Sequence, residues 1–101
     1  MTDTVEEFVV QLGEKLDIAK AEELHHDLED ALASNQTIRL DGDQVVKMDT
    51  AGVQVLSAFC EEAKKLHLEV GWKDPSDTLF QIFGFLGLTE SVGLNDQEQK
   101  A

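Results

Sequence analysis

The sequence predicts an α/β fold: a small mixed β-sheet with helices packed against it. Two observations carry that expectation. Short stretches with apolar residues at alternate positions take turns along the chain with longer stretches whose apolar residues recur at steps of three and four. There is also one proline, Pro75, and no Ser/Gly-rich linker, repeat or low-complexity tract. All 101 residues are therefore expected to form one domain, with its core in residues 5–94 and a polar tail in residues 95–101.

Val5 to Leu12 reads as the first strand. Phe8, Val10 and Leu12 share one face, and the extra apolar Val9 suggests that the other face is partly covered. Gly13 breaks the strand, and Lys15-Leu16 is expected to return briefly as a hairpin. Asp17 suits the N-cap of a helix whose buried stripe is Ile18, Ala21, Leu24, Leu28, Ala31 and Leu32. Ser34-Asn35 ends it. Thr37 to Asp41 is a strand with Ile38 and Leu40 on one face. Gly42-Asp43 turns, and Val45 to Met48 is extended again.

The second helix is expected from about Ala51 to Leu66. Val53, Leu56, Phe59, Cys60 and Ala63 form its inward stripe, while Gln54, Ser57, Glu61, Lys64 and Lys65 face outwards. Leu68, Val70 and Trp72 alternate as the next strand. Pro75-Ser76-Asp77 starts a third helix carrying Leu79, Phe80, Phe83 and Leu86, and Gly87 suits its end. Phe80, Phe83 and Phe85 lie within six helical residues and cannot all point inwards, so one is expected to face a partner. Thr89 to Leu94 is a weaker last element. Right-handed crossovers would bring the C-terminal ends of parallel strands, Asp49 among them, to one edge of the sheet, where α/β proteins bind ligands and partners.

The formal net charge is −13. Nucleic acid and anionic lipid would be repelled, and a partner with a basic face would be drawn in. No apolar run approaches the roughly 20 residues of a membrane span, so no membrane insertion is expected. Met1-Thr2-Asp3-Thr4 has neither the basic segment nor the apolar run of a signal peptide. The expected location is the cytoplasm. Cys60 is the only cysteine, which excludes an internal disulfide and reads as core packing.

Constellations for catalysis are missing from the pattern. His25 and His26 are adjacent and cannot share a helix face, and no His-x-x-x-His or Cys-x-x-Cys spacing occurs. No metal site and no cofactor are expected. There is no phosphate-binding glycine loop and no nucleophile elbow. Asp41, Asp43, Asp49 and Asp74 are expected near one sheet edge, either as turn formers or as a cluster that would make the chain a phospho-acceptor or small-ligand-binding regulator.

Asp49-Thr50-Ala51-Gly52-Val53 is the most informative run. It places a polar pair, a small residue and a glycine at a strand-to-helix turn, where the first N–H groups of a helix stand unfilled and approachable. Thr50 suits the N-cap there, and Asp49 would favour the helix's positive end.

Three patterns carry a family resemblance: Gly13-Glu14-Lys15-Leu16-Asp17 before an alanine-rich helix, Leu40-Asp41 leading through Val46-Lys47-Met48 to Asp49-Thr50-Ala51-Gly52-Val53-Gln54-Val55-Leu56, and Phe85-Leu86-Gly87-Leu88-Thr89. In this order they resemble the STAS domains, the sulfate-transporter and anti-sigma-antagonist modules. The resemblance covers roughly Val5 to Leu94 and implies a non-catalytic bacterial protein that binds another protein. It implies a docking site at the head of the second helix, made of Asp49, Thr50, Ala51 and Gly52 with Gln54 and Ser57 beside them, together with the third helix. In anti-sigma antagonists a kinase phosphorylates the residue before the glycine. That residue here is Ala51, which has no hydroxyl, so Thr50 is the remaining candidate for phosphorylation. The Asp-Thr-Ala core and the Gln54-Val55-Leu56 that follows most resemble the short STAS proteins associated with chemotaxis kinases; the alternative is a STAS subunit of a lipid-trafficking ABC transporter, where a similar turn is found. The implied partner is accordingly an anti-sigma-type kinase, a signalling protein or a transporter ATPase.

Overall fold

The computed structural model describes residues 7–94; the predicted strand start at Val5 and the tail at 95–101 lie outside them. The element order is β1 (Glu7–Gln11), β2 (Lys15–Leu16), α1 (Ile18–Ala33), β3 (Thr37–Asp41), β4 (Lys47–Met48), α2 (Thr50–Lys65), β5 (Val70–Lys73) and α3 (Asp77–Leu86). The predicted alternation of strands and helices is present. Every strand pairing among the described residues is parallel: β1-β3-β5 form one sheet and β2-β4 a second, smaller one.

Lys15-Leu16 does not return as a hairpin. Gly13 turns the chain out of the first sheet at φ 78°. The Glu14 carbonyl then accepts the N–H groups of Val46 and Lys47 at 2.9 and 3.2 Å, which seats β2 beside β4 instead of β1. The extended stretch predicted from Val45 shortens to Lys47–Met48, because Val45 belongs to the turn that Gly42 closes at 3.4 Å.

In the larger sheet, Val10, Leu40 and Trp72 lie side by side on the buried face, with Ile38 next along β3. On the opposite face Val9 is 47% exposed, so no helix or strand among the described residues covers it fully and its cover is partial. Arg39 crosses this open face above Gly71 and pairs with Glu7.

Asp17 caps α1 as expected, accepting the Lys20 N–H at 3.2 Å. Leu24, Leu28 and Ala31 are buried, but Ile18 is 77% exposed, because the first helical residue sits ahead of the turn that reaches the core. The predicted inward stripe of α2 is buried in full: Val53, Leu56, Phe59, Cys60 and Ala63. α1 packs along α2 and over β1 and β2, while α3 packs on β4.

Ser76 caps α3. Its hydroxyl donates to the Val45 carbonyl at 2.7 Å and accepts the Leu79 N–H at 3.4 Å, tying the helix start to the loop before β4. Gly87 ends the helix in the left-handed region at φ 72°. The last segment is a set of turns, with no strand or long helix. It is anchored by Val92 and Leu94, both buried, and by the Trp72 indole N–H, which donates to the Val92 carbonyl at 2.8 Å.

Candidate functional site

Parallel pairing brings β2 and β4 to the same level, so the chain leaves both strands straight into helices. Asp49 stands between them. Its Oδ1 accepts the N–H groups of Ala51 and Gly52 at 2.9 and 3.4 Å, and its backbone carbonyl accepts that of Val53 at 3.1 Å. Its Oδ2 accepts the Ile18 N–H at 3.2 Å. The N-cap of α2 is therefore Asp49, and the expectation that Thr50 caps the helix is corrected: Thr50 is the first helical residue. The expectation of open N–H groups falls with it. Asp has the reach to accept two donors at once, and it takes the Ala51 and Gly52 N–H groups that an anion would otherwise use.

Gly52 is buried against β2. A Cβ there would lie 2.3 Å from the Leu16 carbonyl oxygen and 2.9 Å from the Leu16 Cβ. The glycine therefore serves the close seating of α2 on the strand and has no surface to offer a partner. Ala51 is half-buried.

Thr50 is exposed, and it borders an open groove of about 410 Å³ between the head of α2 and α3. Met48 and Val53, nearly buried, line its floor, while Asp49 and Gln81 stand beside Thr50. Its far wall is a stripe of α3 at steps of three and four: half-buried Ile82, then Phe85 at 90% and Leu86 at 48% exposed. Phe83 on the opposite side of the helix is fully buried, and Phe80 is half-buried. The three phenylalanines thus divide as their spacing demands, and Phe85 is the one left outside.

The six residues expected to form one docking face separate. Asp49 and Thr50 line the groove. Gln54 is exposed but lies beyond it, between α1 and α2 and beside Ser57. Ser57, expected to face outwards, is half-buried, and its hydroxyl is shut from solvent without a hydrogen-bond partner. It sits one helical turn above Val53, where the end of α3 leads into the turns around Leu88 and Ser91. The sequence pattern places the third helix in the docking face and one of its phenylalanines outside, but does not single out Phe85, Ile82 and Leu86. The over-supply of phenylalanine is the signal that points to them.

The aspartate edge is also narrower than expected. Asp41 and Asp74 lie beside Asp43, and Asp41 accepts the Asp43 N–H at 3.4 Å in a short turn. Desolvation and the two neighbouring carboxylates raise the Asp43 carboxyl above its ordinary range, against the pull of Lys73. Among the described residues no group of three His, Cys, Asp or Glu side chains is placed to hold a metal ion. Asp49 is committed to the two helix heads.

Comparison with known proteins adds a family. A family model described as "Mlab, STAS domain" matches residues 2–95. Among solved structures, the anti-sigma factor antagonist SpoIIAA in its unphosphorylated form is similar over 84% of this chain and 79% of its own, at 23% identity and TM-score 0.64. The Bacillus cell fate determinant SpoIIAA in the phosphorylated form matches over 89% and 83%, at 24% identity and TM-score 0.66. A sulfate transporter family protein from Wolinella succinogenes matches over 91% and 77%, at 18% identity and TM-score 0.75. At these identities the structural matches speak for the fold. No curated protein matches the chain significantly.

Proposed function

Since the chain belongs to the STAS domain family, we propose that it is a non-catalytic bacterial regulatory module that docks another protein across the head of α2 and the outer stripe of α3. The observation that carries this reading is the pairing of Thr50 with Phe85 across one groove. Fully burying a phenylalanine side chain is worth about 1.5–3 kcal/mol, and Phe85 forgoes nearly all of that in the free chain. Leu86 and Ile82 extend the same surface, so an apolar patch stands next to a neutral hydroxyl with polar Asp49 and Gln81 at its rim. That is the composition of a protein interface: an aromatic anchor inside a polar border.

Polar chemistry at the groove is sparse. Asp49 already accepts the Ala51 and Gly52 N–H groups and holds a carboxylate at the helix head, which disfavours a phosphate or nucleotide at this turn. A protein partner with a basic rim would be steered in by the net charge of −13. The partner classes are an anti-sigma-type kinase, a signalling protein of the chemotaxis type, or the ATPase of a lipid-trafficking transporter. The Asp49-Thr50-Ala51 turn resembles both of the last two, and the identity of the bound protein separates them. A cytoplasmic place follows from the reading; no helix among the described residues is long and apolar enough to cross a membrane.

The test is a binding titration once a partner is in hand. Thr50→Glu should weaken the complex tenfold or more, about 1.4 kcal/mol, while Lys65→Glu, at the far end of α2, should change mainly the salt dependence. Equal affinity of Thr50→Glu and the native chain would refute the docking face.

A further inference from the structure

We propose that the groove between α1 and α2 is a second docking surface, one that takes a cationic amphipathic helix of a partner protein. It is the larger of the two grooves, about 500 Å³, and shares no lining residue with the groove at Thr50 and Phe85.

Its floor is apolar. Leu28 and Leu32 contribute from α1, one turn apart, and Val55 and Phe59 from α2, also one turn apart. Leu28 and Phe59 are nearly buried, while Leu32 and Val55 are half-buried and present their outer atoms. Ala58 lies exposed between them, and its small side chain is what keeps the space open. Two helices packed side by side leave a furrow into which the ridge of a third can settle. The apolar width here suits anchors at i, i+3, i+4 and i+7 of such a helix.

The rim decides the occupant. Glu29 stands on one side and Glu62 on the other, both exposed. His25 shares the α1 rim and lies 3.7 Å from the Glu29 carboxylate, while Glu23, Asp27 and Asp30 lie round the helix towards β1 and β2 and add only to the general negative field. An apolar floor with one glutamate on each wall, in a chain of net charge −13, matches leucine-like anchors flanked by Lys or Arg. A second copy of the chain, itself at −13, would bring acid against acid. The segments beyond the described residues fit no better. Residues 1–6 carry Asp3 and Glu6 with no basic side chain, and residues 95–101 carry Asp96 and Glu98 against Lys100 and offer no large apolar anchor. Nucleic acid is excluded by its own charge.

The experiment titrates the isotope-labelled full chain with a synthetic leucine–lysine helix of about 14 residues, or four turns, with leucines at helical spacing. Two controls accompany it: the same composition with leucines out of register, and a leucine–glutamate twin. Backbone amide shifts should concentrate at 28–32 and 55–62, and both controls should bind tenfold more weakly or worse. Ala58→Trp, which fills the furrow, should lower affinity at least tenfold, and Glu29→Lys with Glu62→Lys should do the same without touching the core. Thr50→Glu should leave binding unchanged. Shifts spread over the acidic surface or centred on Phe85 would overturn the proposal. So would an out-of-register peptide that binds equally well, or affinity that survives both the filled furrow and the reversed rim.

Discussion

The Asp49 carboxylate accepts the backbone N–H of Ile18 at 3.2 Å, across 31 positions of sequence, while its other oxygen caps α2. One side chain thereby fixes the heads of two helices against each other. The Asp49 N–H donates to the Leu16 carbonyl at 3.2 Å, so the same residue also closes the β2-β4 pairing. This turn is first a structural joint, and Thr50 is presented to solvent by the residue before it.

That division of labour sets opposite expectations for neighbours. Asp49→Ala should cost about 2 kcal/mol of stability, at the upper end for a lost cap, because donors of both helices lose their acceptor. Asp49→Asn should cost less, since one oxygen remains. Thr50→Ala should stay within about 0.5 kcal/mol of the native chain, as a surface substitution. Urea denaturation measures all three, and a Thr50→Ala loss equal to that of Asp49→Ala would contradict the capping assignment.

Two helical glycines should respond with opposite signs. Gly52→Ala drives a methyl into the Leu16 carbonyl, a backbone atom that cannot step aside, and should destabilise by about 3 kcal/mol. Gly84 lies in α3 with nothing within 4 Å of an added Cβ, so Gly84→Ala should stabilise by about 0.5–1 kcal/mol through the unfolded chain. Thermal melts of the two variants check this directly.

Ala51 occupies the position that carries the phosphorylated hydroxyl in anti-sigma antagonists, as the family resemblance implies. Incubated with ATP and a kinase of that family, Ala51→Ser should gain one phosphate by intact mass, and the native chain none. Phosphothreonine at position 50 in protein isolated from cells would show instead that the switch has moved by one residue.

Burial pushes the Cys60 thiol up to about 11 from an ordinary 9.0, with Lys64 pulling weakly the other way. Folding disfavours the thiolate, so the contribution is fully present below about pH 9 and is lost as pH rises through about 11. Each tenfold weakening of thiol acidity on folding corresponds to about 1.4 kcal/mol. Cys60→Ala should flatten that alkaline loss. The native thiol should resist alkylation at pH 8 and react readily in urea; rapid labelling of the folded chain would contradict its burial.

Much of the fold is legible in the sequence because periodicity is written into the core. Leu24, Leu28 and Ala31 of α1, and all five inward residues of α2, stand out by spacing alone. Ser76, Asp17 and Gly87 are legible as helix ends because caps need particular side chains. Pairing partners are not legible: Lys15-Leu16 is too short to show direction, and the bonds of the Glu14 carbonyl to Val46 and Lys47 and of the Leu16 carbonyl to Asp49 reveal where it goes. At the site, Thr50 and Asp49 are both visible but with their roles exchanged, because Thr and Asp are both capping residues and adjacent in sequence, and the bonds Asp49 makes separate them. Ser57 falls on the outward side of a helical projection, which knows nothing of the turns that later fold over it. Phe85 is visible as a surplus, and the groove it forms with Thr50 depends on a crossing of α2 and α3 that no local pattern encodes.

The most direct measurement is site-specific photo-crosslinking of the full chain in its native cells, with the probe at Phe85 and, separately, at Thr50. Both probes should capture the same protein, a probe at Lys73 at the end of β5 should not, and Thr50→Glu should abolish capture from position 85. If positions 85 and 50 yield no shared adduct, or if Thr50→Glu leaves the Phe85 adduct intact, the docking face across α2 and α3 is wrong.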